Sequence, residues 1–202
     1  MIISTMNGSR ELLLEALDIA RLPIHRMRVA ELGSRDIGDL SQTAIPSKLV
    51  WEWFGAAHIS FAPTGQRGSV RHDMSQPIED CDEASDWIGA CDIVTNFGTT
   101  QNVHQPGSEW GQYEAFRAMH ELCRVGGLMV HAVPHVEGYT GGGLYRYDQR
   151  WFVELARVND CHIHQMQTRE LSKDTRLLYV IMERRTRDLF DMGHHWRNPP
   201  TK

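Results

Sequence analysis

The sequence has few cysteines and no long apolar run. Its 202 residues include only four cysteines, widely spaced and without a C-x-x-C pair: Cys81, Cys91, Cys123 and Cys161. We therefore expect reduced thiols with no disulfide or metal role. No apolar run approaches the roughly 20 residues that cross a membrane, and the N-terminal residues lack a signal-peptide pattern. These absences predict a cytoplasmic protein with no membrane partner.

Two further absences limit the function. The net charge is −5 and the pI is near 6.1, whereas general nucleic-acid binders carry a strong positive excess. Only a local basic patch is left open. His131 and His135 flank Pro134 and do not share a helix face, so the H-x-x-x-H pattern of zinc helices is missing. We predict no general nucleic-acid binding and no metal site.

A short apolar stretch at 28–36 organises the chain. Val29, Ala30 and Leu32 indicate a strand that is buried on both faces. Ligands collect at the carboxyl ends of such strands, and here Glu31 and Gly33 mark that end. Glu31 can accept hydrogen bonds from ribose hydroxyls, from a ligand ammonium or from backbone N–H groups in the loop. It can also be a surface or loop-capping carboxylate.

Strand and helix patterns alternate along the chain. We predict a first strand over the apolar run of Val29, Ala30 and Leu32, and further strands at 58–62, 69–72, 91–95, 128–133, 161–168 and 176–183. We predict helices at 8–22, 47–55, 108–123 and 148–158, an acidic surface at 77–86 and a long loop at 138–147. The fifth strand is expected to stop at Pro134.

This order predicts an α/β fold: a Rossmann-like, doubly wound, mostly parallel seven-stranded sheet with helices on both faces and an antiparallel terminal hairpin. The length suits a single domain. Residues 1–27 form an N-terminal helix and lead-in, 28–183 the core, and 184–202 a loosely ordered polar tail. The sequence leaves open a homodimer. Its contact would be made by three aromatic residues of the helix that follows the fourth predicted strand: Trp110, Tyr113 and Phe116.

Four segments in this order resemble the class I S-adenosylmethionine-dependent methyltransferases, over roughly residues 28–183. They are Glu31-Leu-Gly33 after the first strand, Asp73-Met74 after the third, Asp92–Thr100 on the fourth strand and its loop, and Met119–Pro134 with its Gly-Gly turn. The last of these is the most specific.

The resemblance implies S-adenosylmethionine as cofactor, S-adenosylhomocysteine as product and in-line methyl transfer to a small-molecule acceptor, with no metal obligatory. It implies that the cofactor lies among nine residues: Glu31, Gly33, Ser34, Thr64, Asp73, Met74, Asn96, Phe97 and Gly98. The acceptor is expected to enter between 96–104 and 133–147. Asp73 fits turn capping equally well.

One position departs from the family pattern. The second strand of the family ends in a carboxylate that binds the ribose diol, whereas this chain has Phe61-Ala62-Pro63-Thr64. Thr64 supplies a single hydroxyl, so weak cofactor affinity or a repurposed site is predicted. The alternative function is therefore a catalytically inactive methyltransferase-like binding or scaffolding protein, and a third is binding of a different nucleoside-like ligand.

Three residues are candidates for catalysis. His104 and His135 follow strands, and histidine is the side chain type that most often serves as a general base near neutral pH. Tyr145 lies in the glycine-rich loop, which can act as a substrate lid. Solvated loop histidines and a tyrosine packed on the sheet edge are equally compatible with the sequence.

Overall fold

The computed structural model describes residues 6–34, 36–37, 45–104 and 110–191. The helices are α1 (Met6–Ala20), α2 (Ser47–Trp53), α3 (Trp110–Leu122) and α4 (Gln149–Val158). The strands described are β1 (Arg28–Leu32), β2 (Asp36–Ile37), β3 (Ile45–Pro46), β4 (Ala57–Ala62), β5 (Val70–Arg71), β6 (Cys91–Phe97), β7 (Cys123–Tyr139), β8 (Cys161–Ser172) and β9 (Thr175–Arg184).

The main sheet has seven strands in the order β5-β4-β1-β6-β7-β9-β8. The first five of these are parallel, and β9 runs antiparallel to both β7 and β8. The chain order reverses between β1 and β6, so this is the switch point where ligands bind in open α/β sheets. The predicted fold class is confirmed. A separate antiparallel pair, β2 and β3, was not predicted.

Two apolar cores lie on opposite faces of the sheet. One joins α1 and α2 to Val29 of β1 and its neighbours on the same face. The other joins α3 and α4 to Ala30, Leu32 and Phe61. Successive side chains of a strand point to opposite faces, so the apolar residues of β1 contribute to both cores. This accounts for the apolar run that predicted the strand.

The main error in the predicted strands concerns Pro134, which does not end β7. Its carbonyl accepts from the Tyr147 N–H (2.9 Å), and the Val136 N–H donates to the Tyr147 carbonyl (3.0 Å). The nitrogen of Pro134 therefore faces the side where β6 has already ended, since the last residue of β6 pairs with Ala132. A proline there removes no hydrogen bond from the sheet.

Two other predictions need comment. The segment at 77–86 exposes its acidic side chains as expected, but it also forms two short 3-10 helices, Ile78–Asp80 and Asp82–Trp87, which bury Ile78 and Ala84 completely. These two apolar residues belong to the core that α3 and α4 form with the sheet. The sequence pattern missed them because acidic residues surround each one.

The described part of the C-terminal segment is also packed. Arg184 is buried and donates from Nη1 to the carbonyls of His120 (2.6 Å) and Cys123 (2.8 Å). Phe190 is 7% exposed and packs on Tyr113 and His120. The expectation of a loose tail is therefore wrong for 184–191, and residues 192–202 lie outside the described part.

Candidate functional site

The carboxyl ends of β1 and β6 meet through two glycine turns and one threonine. Gly33 has φ +87° and Gly98 has φ +71°. The hydroxyl of Thr99 donates to the carbonyl of Leu32 (2.6 Å), which ties the two strand ends together across the switch point. A β-carbon on Gly33 would collide with Oγ1 of Thr99. Glycine is therefore required here both by its backbone angle and by the contact.

Glu31 is buried among polar groups of the protein itself. Its side chain is 4% exposed, and Oε2 lies 2.8 Å from Nε2 of His58, whose side chain is fully buried. The same oxygen accepts a short hydrogen bond from the hydroxyl of Ser47, at the start of α2. Glu31 thus joins β1 to β4 and α2. A direct role in ligand binding stays a prediction, since the described contacts of its carboxylate are internal.

Asn96 organises the loop after β6. Its side-chain oxygen accepts from the N–H groups of Thr99 (3.2 Å) and Thr100 (3.1 Å). Its amide nitrogen donates to Oγ1 of Thr100 (2.9 Å) and lies 3.3 Å from Nδ1 of His131. Asn96 is completely buried, so it shapes this loop from within. The loop is also joined to β7, because the Gly98 N–H donates to the carbonyl of Ala132 (2.9 Å). Asn96 and Phe97 belong to β6, one element earlier than predicted.

The buried network continues to Tyr147 and Gln112. The Tyr147 hydroxyl donates to Oε1 of Gln112 (2.7 Å) and lies 3.1 Å from Oγ1 of Thr100. The Gln112 amide donates to the carbonyl of Val103 (3.0 Å) and to that of Thr100. The network therefore fixes the loop after β6 to α3 and to the segment that precedes α4.

Burial shifts the pKa values of two of these groups. It lowers the pKa of His131 from 6.5 to about 3, so the ring is neutral at physiological pH. Burial also raises the pKa of Tyr147, against smaller opposing effects of its hydrogen bonds to Thr100 and Gln112. Both groups are therefore held in their neutral forms, as expected for fully buried side chains.

The predicted ribose and adenine residues lie at the ends of β4 and β5. Thr64 is exposed in the turn after β4, and the carbonyl of Ser34 accepts from Arg67 (3.4 Å). Asp73 is exposed and accepts from the N–H of Ser75 (2.9 Å). Met74 is 1% exposed within the core. Asp73 thus makes the turn-capping contact that the sequence left open, and Met74 contributes to packing.

The structure brings together two of the three candidate catalytic residues. Nδ1 of His104 lies 3.2 Å from the hydroxyl of Tyr145, close to the surface. His135 lies elsewhere and is 6% exposed. Its Nδ1 accepts from the Glu137 N–H (3.1 Å), and its Nε2 lies 3.3 Å from Oε1 of Gln149. Both ring nitrogens of His135 therefore have partners.

The expected acceptor entrance is closed by hydrogen bonds. The N–H groups of Leu144 (2.8 Å) and Tyr145 (3.2 Å) both donate to the carbonyl of Gln101, which joins the loop after β6 to the glycine-rich loop. An open cleft of about 550 Å³ lies instead between the end of β7, the start of α4 and the β8–β9 hairpin. Its polar lining includes His135, Glu137, Gln149, Thr168, Glu170 and Arg176.

Sequence reasoning missed several residues that shape this edge of the sheet. Ser47, His58, Gln112 and Tyr147 became visible only through their contacts across different elements. One signal was available for His58, which is a polar residue inside an otherwise apolar stretch, since a buried polar group needs a partner.

Within the described ranges, no group of three or more histidine, cysteine or acidic side chains is placed to hold a metal ion. Among the helices described, none is long and apolar enough to cross a membrane. The four cysteines are unpaired thiols.

Comparison with known proteins identifies the fold. No protein-family model matches the chain, and no curated protein shows significant sequence similarity to it. Solved structures do match. The 1,6-didemethyltoxoflavin-N1-methyltransferase of Burkholderia thailandensis, with bound 1,6-didemethyltoxoflavin and S-adenosylhomocysteine, has a TM-score of 0.52 at 15% identity, over 91% of this chain and 85% of that chain.

Two further matching structures are of methyltransferases that are named for different substrates. The geranyl diphosphate C-methyltransferase of Streptomyces coelicolor A3(2) has a TM-score of 0.54 at 10% identity, over 88% of this chain and 80% of that chain. An rRNA methylase of Streptococcus thermophilus has a TM-score of 0.50 at 10% identity, over 92% of this chain and 99% of that chain. The chain has the Rossmann-like fold of the class I S-adenosylmethionine-dependent methyltransferases.

Proposed function

We propose that the protein is an S-adenosylmethionine-dependent methyltransferase that acts on a small-molecule acceptor. The observation that carries the proposal is the pair of left-handed glycine turns, Gly33 and Gly98, at the carboxyl ends of the strands on either side of the switch point. The bound S-adenosylhomocysteine in the Burkholderia and Streptomyces structures supports the same ligand class. We keep the expectations of a single domain, a cytoplasmic location and no general nucleic-acid binding.

The residues at this edge fit one end of the cofactor better than the other. Gly33 and Gly98 follow the strands on either side of the switch point, and neither carries a side chain. Asn96 holds the loop that carries Gly98. The ribose end fits poorly, because β4 is followed by Pro63 and Thr64 and no carboxylate. The methionine end of the cofactor is therefore assigned to the Gly33 and Gly98 turns.

The chain's own residues would orient the reactants. When bound, the cofactor supplies an electrophilic methyl group on sulfur, and positioning alone can provide much of the rate. His104 lies on the loop that begins at Gly98, and the Tyr145 hydroxyl fixes its ring. We assign His104 as the group that accepts the acceptor's proton, with Tyr145 as its positioning partner. His135 lies in the separate open cleft with Gln149 and Thr168, so it takes no part in this assignment.

Calorimetry with S-adenosylhomocysteine and S-adenosylmethionine tests the cofactor assignment. We expect saturable binding, and Gly98→Ala should weaken it because a β-carbon would strain a left-handed turn. Gly89→Ala is a matched control, since Gly89 also has a left-handed φ of +65° and a β-carbon there meets no atom within 4 Å. Absence of binding at about 1 mM ligand, which corresponds to a free energy weaker than about −4 kcal/mol, would defeat the assignment.

A non-catalytic binding or scaffolding protein is the second candidate. The absent carboxylate after β4 and the Thr99 hydroxyl seated against Gly33 favour it. An assay of methyl transfer to a library of polar small molecules separates the two functions if His104→Gln is included. Loss of transfer with unchanged S-adenosylhomocysteine binding supports the enzyme, whereas binding without any transfer supports the scaffold.

A further inference from the structure

A small cavity lies between α3, α4 and the strands β7 and β9. The space open to the centre of a water molecule is about 10 Å³, and one buried water needs roughly 10–15 Å³ by this measure. Its apolar and thioether lining consists of Phe116, Met119, Met129, Leu155, Met182 and Phe190, and its polar lining of His120, His131, Asn159 and Cys161.

Asn96 decides which nitrogen of His131 carries the proton. The side-chain oxygen of Asn96 accepts from the N–H groups of Thr99 and Thr100, so its amide nitrogen lies at 3.3 Å from Nδ1 of His131. An amide nitrogen only donates, so Nδ1 must accept. Burial lowers the pKa of His131 to about 3 and keeps the ring neutral. A neutral imidazole carries one proton, which therefore lies on Nε2.

The Nε2–H group of His131 is a buried donor that needs an acceptor. His131 is completely buried and lines the cavity, and its Nε2 has no hydrogen-bond partner among the residues that the structure describes. Nδ1 faces Asn96, so Nε2 is the polar part of the ring that is left for the cavity. An unpaired buried donor is costly, so an acceptor is expected in this space.

His120 of α3 has the complementary requirement. It is 1% exposed, and neither of its ring nitrogens has a hydrogen-bond partner in the described ranges. Its Nδ1 lies 3.6 Å from Oε1 of Glu121, which is too long for a hydrogen bond, but the carboxylate favours the proton on that nitrogen. Nε2 of His120 is then an acceptor without a donor. The cavity therefore combines one unpaired donor with one unpaired acceptor.

Water satisfies both groups at once. We propose that the cavity binds one water molecule, which accepts from Nε2–H of His131 and donates to Nε2 of His120. Buried waters usually make two to four hydrogen bonds, and the sulfur atoms in the lining are weak acceptors for the second hydrogen. This water would join α3 to β7 and keep His131 in the tautomer that Asn96 requires. The proposal goes beyond the proposed function and does not depend on it.

The same side chains fit a metal ion less well. Histidine, cysteine and methionine are ligands of soft metals. A metal on Nε2 of His131 would leave the proton on Nδ1, where it would face the amide hydrogens of Asn96. The Cys161 thiol donates to the carbonyl of Asn159 (3.5 Å), and burial raises its pKa to about 12, so it stays protonated. Water meets neither obstacle.

A crystal structure of the full chain at about 1.5 Å resolution tests the site directly. We expect one ordered density peak at roughly 2.7–3.2 Å from Nε2 of both histidines. An empty cavity, a peak that reaches only one of the two rings, or a metal ion recognised by its anomalous scattering would overturn the proposal.

Nuclear magnetic resonance on the unmodified protein supplies a second test. Nitrogen–proton correlations of the histidine rings should place the proton on Nε2 of His131 and on Nδ1 of His120, and magnetisation should pass from water to the His131 N–H. The other tautomer at either ring, or no transfer, would contradict the bridge. A shortage of S-adenosylhomocysteine binding would defeat the proposed function and leave these signals unchanged.

One variant and its control complete the test. His120→Leu removes one partner of the water, so magnetisation transfer to the His131 N–H should be lost. His25→Gln changes an exposed histidine and should leave the transfer unchanged. Full transfer in folded His120→Leu would refute the bridge, and the two measurements on the unmodified protein decide the matter if this variant does not fold.

Discussion

Oε2 of Glu31 lies 2.8 Å from Nε2 of His58, and both side chains are buried. Together with Ser47, this pair fastens β1 to β4 and α2 beside the switch point. A buried carboxylate with internal partners is expensive to break, because removing it leaves buried donors without an acceptor. Glu31 is therefore a structural anchor of the edge where we place the ligand.

We predict that Glu31→Ala lowers the free energy of unfolding by about 3 kcal/mol, the typical cost of breaking a buried pair. Urea denaturation measures it. In a double-mutant cycle the losses from Glu31→Ala and His58→Ala should be less than additive, since both remove the same contact. Glu52→Ala is the control, because its exposed ion pair with Lys48 should contribute no more than about 1 kcal/mol.

Equal stabilities for Glu31→Ala and Glu52→Ala would show that the buried pair contributes little. The result also decides how cofactor binding by the Glu31→Ala variant is interpreted. If Glu31→Ala unfolds more easily, a loss of cofactor binding in that variant does not assign a direct contact to Glu31.

The fold was predictable because apolar patterning follows from burial. The first strand was predicted from the apolar run of Val29, Ala30 and Leu32, and the structure has a strand over Arg28–Leu32. The helix predicted at 148–158 begins after Asp148, whose carboxylate accepts from the Trp151 N–H (2.9 Å). Pro134 misled the prediction because its effect depends on which side of β7 its nitrogen faces. Sequence alone does not contain that information.

The sequence predicted where the candidate site lies in the fold but not which side chains contact one another there. Gly33 was identified just after β1, and Asn96 was placed in a loop although it belongs to β6. The contact of Gly33 with Thr99 and that of Asn96 with His131 come from elements distant in the chain. The Glu31–His58 pair depends on the register between β1 and β4, in which Glu31 lies opposite Ser60. A shift of one residue would move these side chains to the other face.

His131 should make stability sensitive to acid. Burial lowers its pKa from 6.5 to about 3, so the unfolded state binds more protons between these values. The stabilisation is present above about pH 6.5 and is lost as the pH falls towards 3. The loss should be on the order of a few kcal/mol. Urea denaturation between pH 7 and pH 4 measures it, and His131→Leu should show a shallower decline.

The exposed His25→Gln serves as the control for His131→Leu, and should decline with pH like the unmodified protein. A parallel decline in His131→Leu would assign the acid sensitivity to other groups.

Tyr147 should have the opposite pH dependence. Because burial raises its pKa, the neutral phenol stabilises the fold below the ordinary tyrosine pKa of about 10, and this contribution is lost as the pH rises further. Tyr147→Phe should lower stability at pH 7 by about 1–3 kcal/mol, since Gln112 loses its donor, and should flatten the alkaline decline. Denaturation at several alkaline pH values measures both effects, with Tyr145→Phe as the half-buried control. An unflattened decline would point to another group.

Three glycines allow the cost of a left-handed backbone at Gly33 to be separated from the cost of displacing Thr99. Gly33→Ala introduces a β-carbon both at φ +87° and against the Thr99 hydroxyl. Gly89 has φ +65° with no atom within 4 Å of the added β-carbon, and Gly142 has neither restriction. A left-handed residue costs roughly 1–2 kcal/mol. We therefore expect Gly142→Ala to be neutral, Gly89→Ala to lose about that amount and Gly33→Ala to lose more.

The contact between Gly33 and Thr99 should also affect how tightly the ligand binds. Displacement of Thr99 breaks its hydrogen bond to the Leu32 carbonyl, so the turns on both sides of the switch point should separate and S-adenosylhomocysteine should bind more weakly. Thr99→Ser retains this hydrogen bond and should bind the ligand normally. If Gly33→Ala and Gly89→Ala lost equal stability and bound the ligand equally well, the Thr99 contact would have no part in shaping the site.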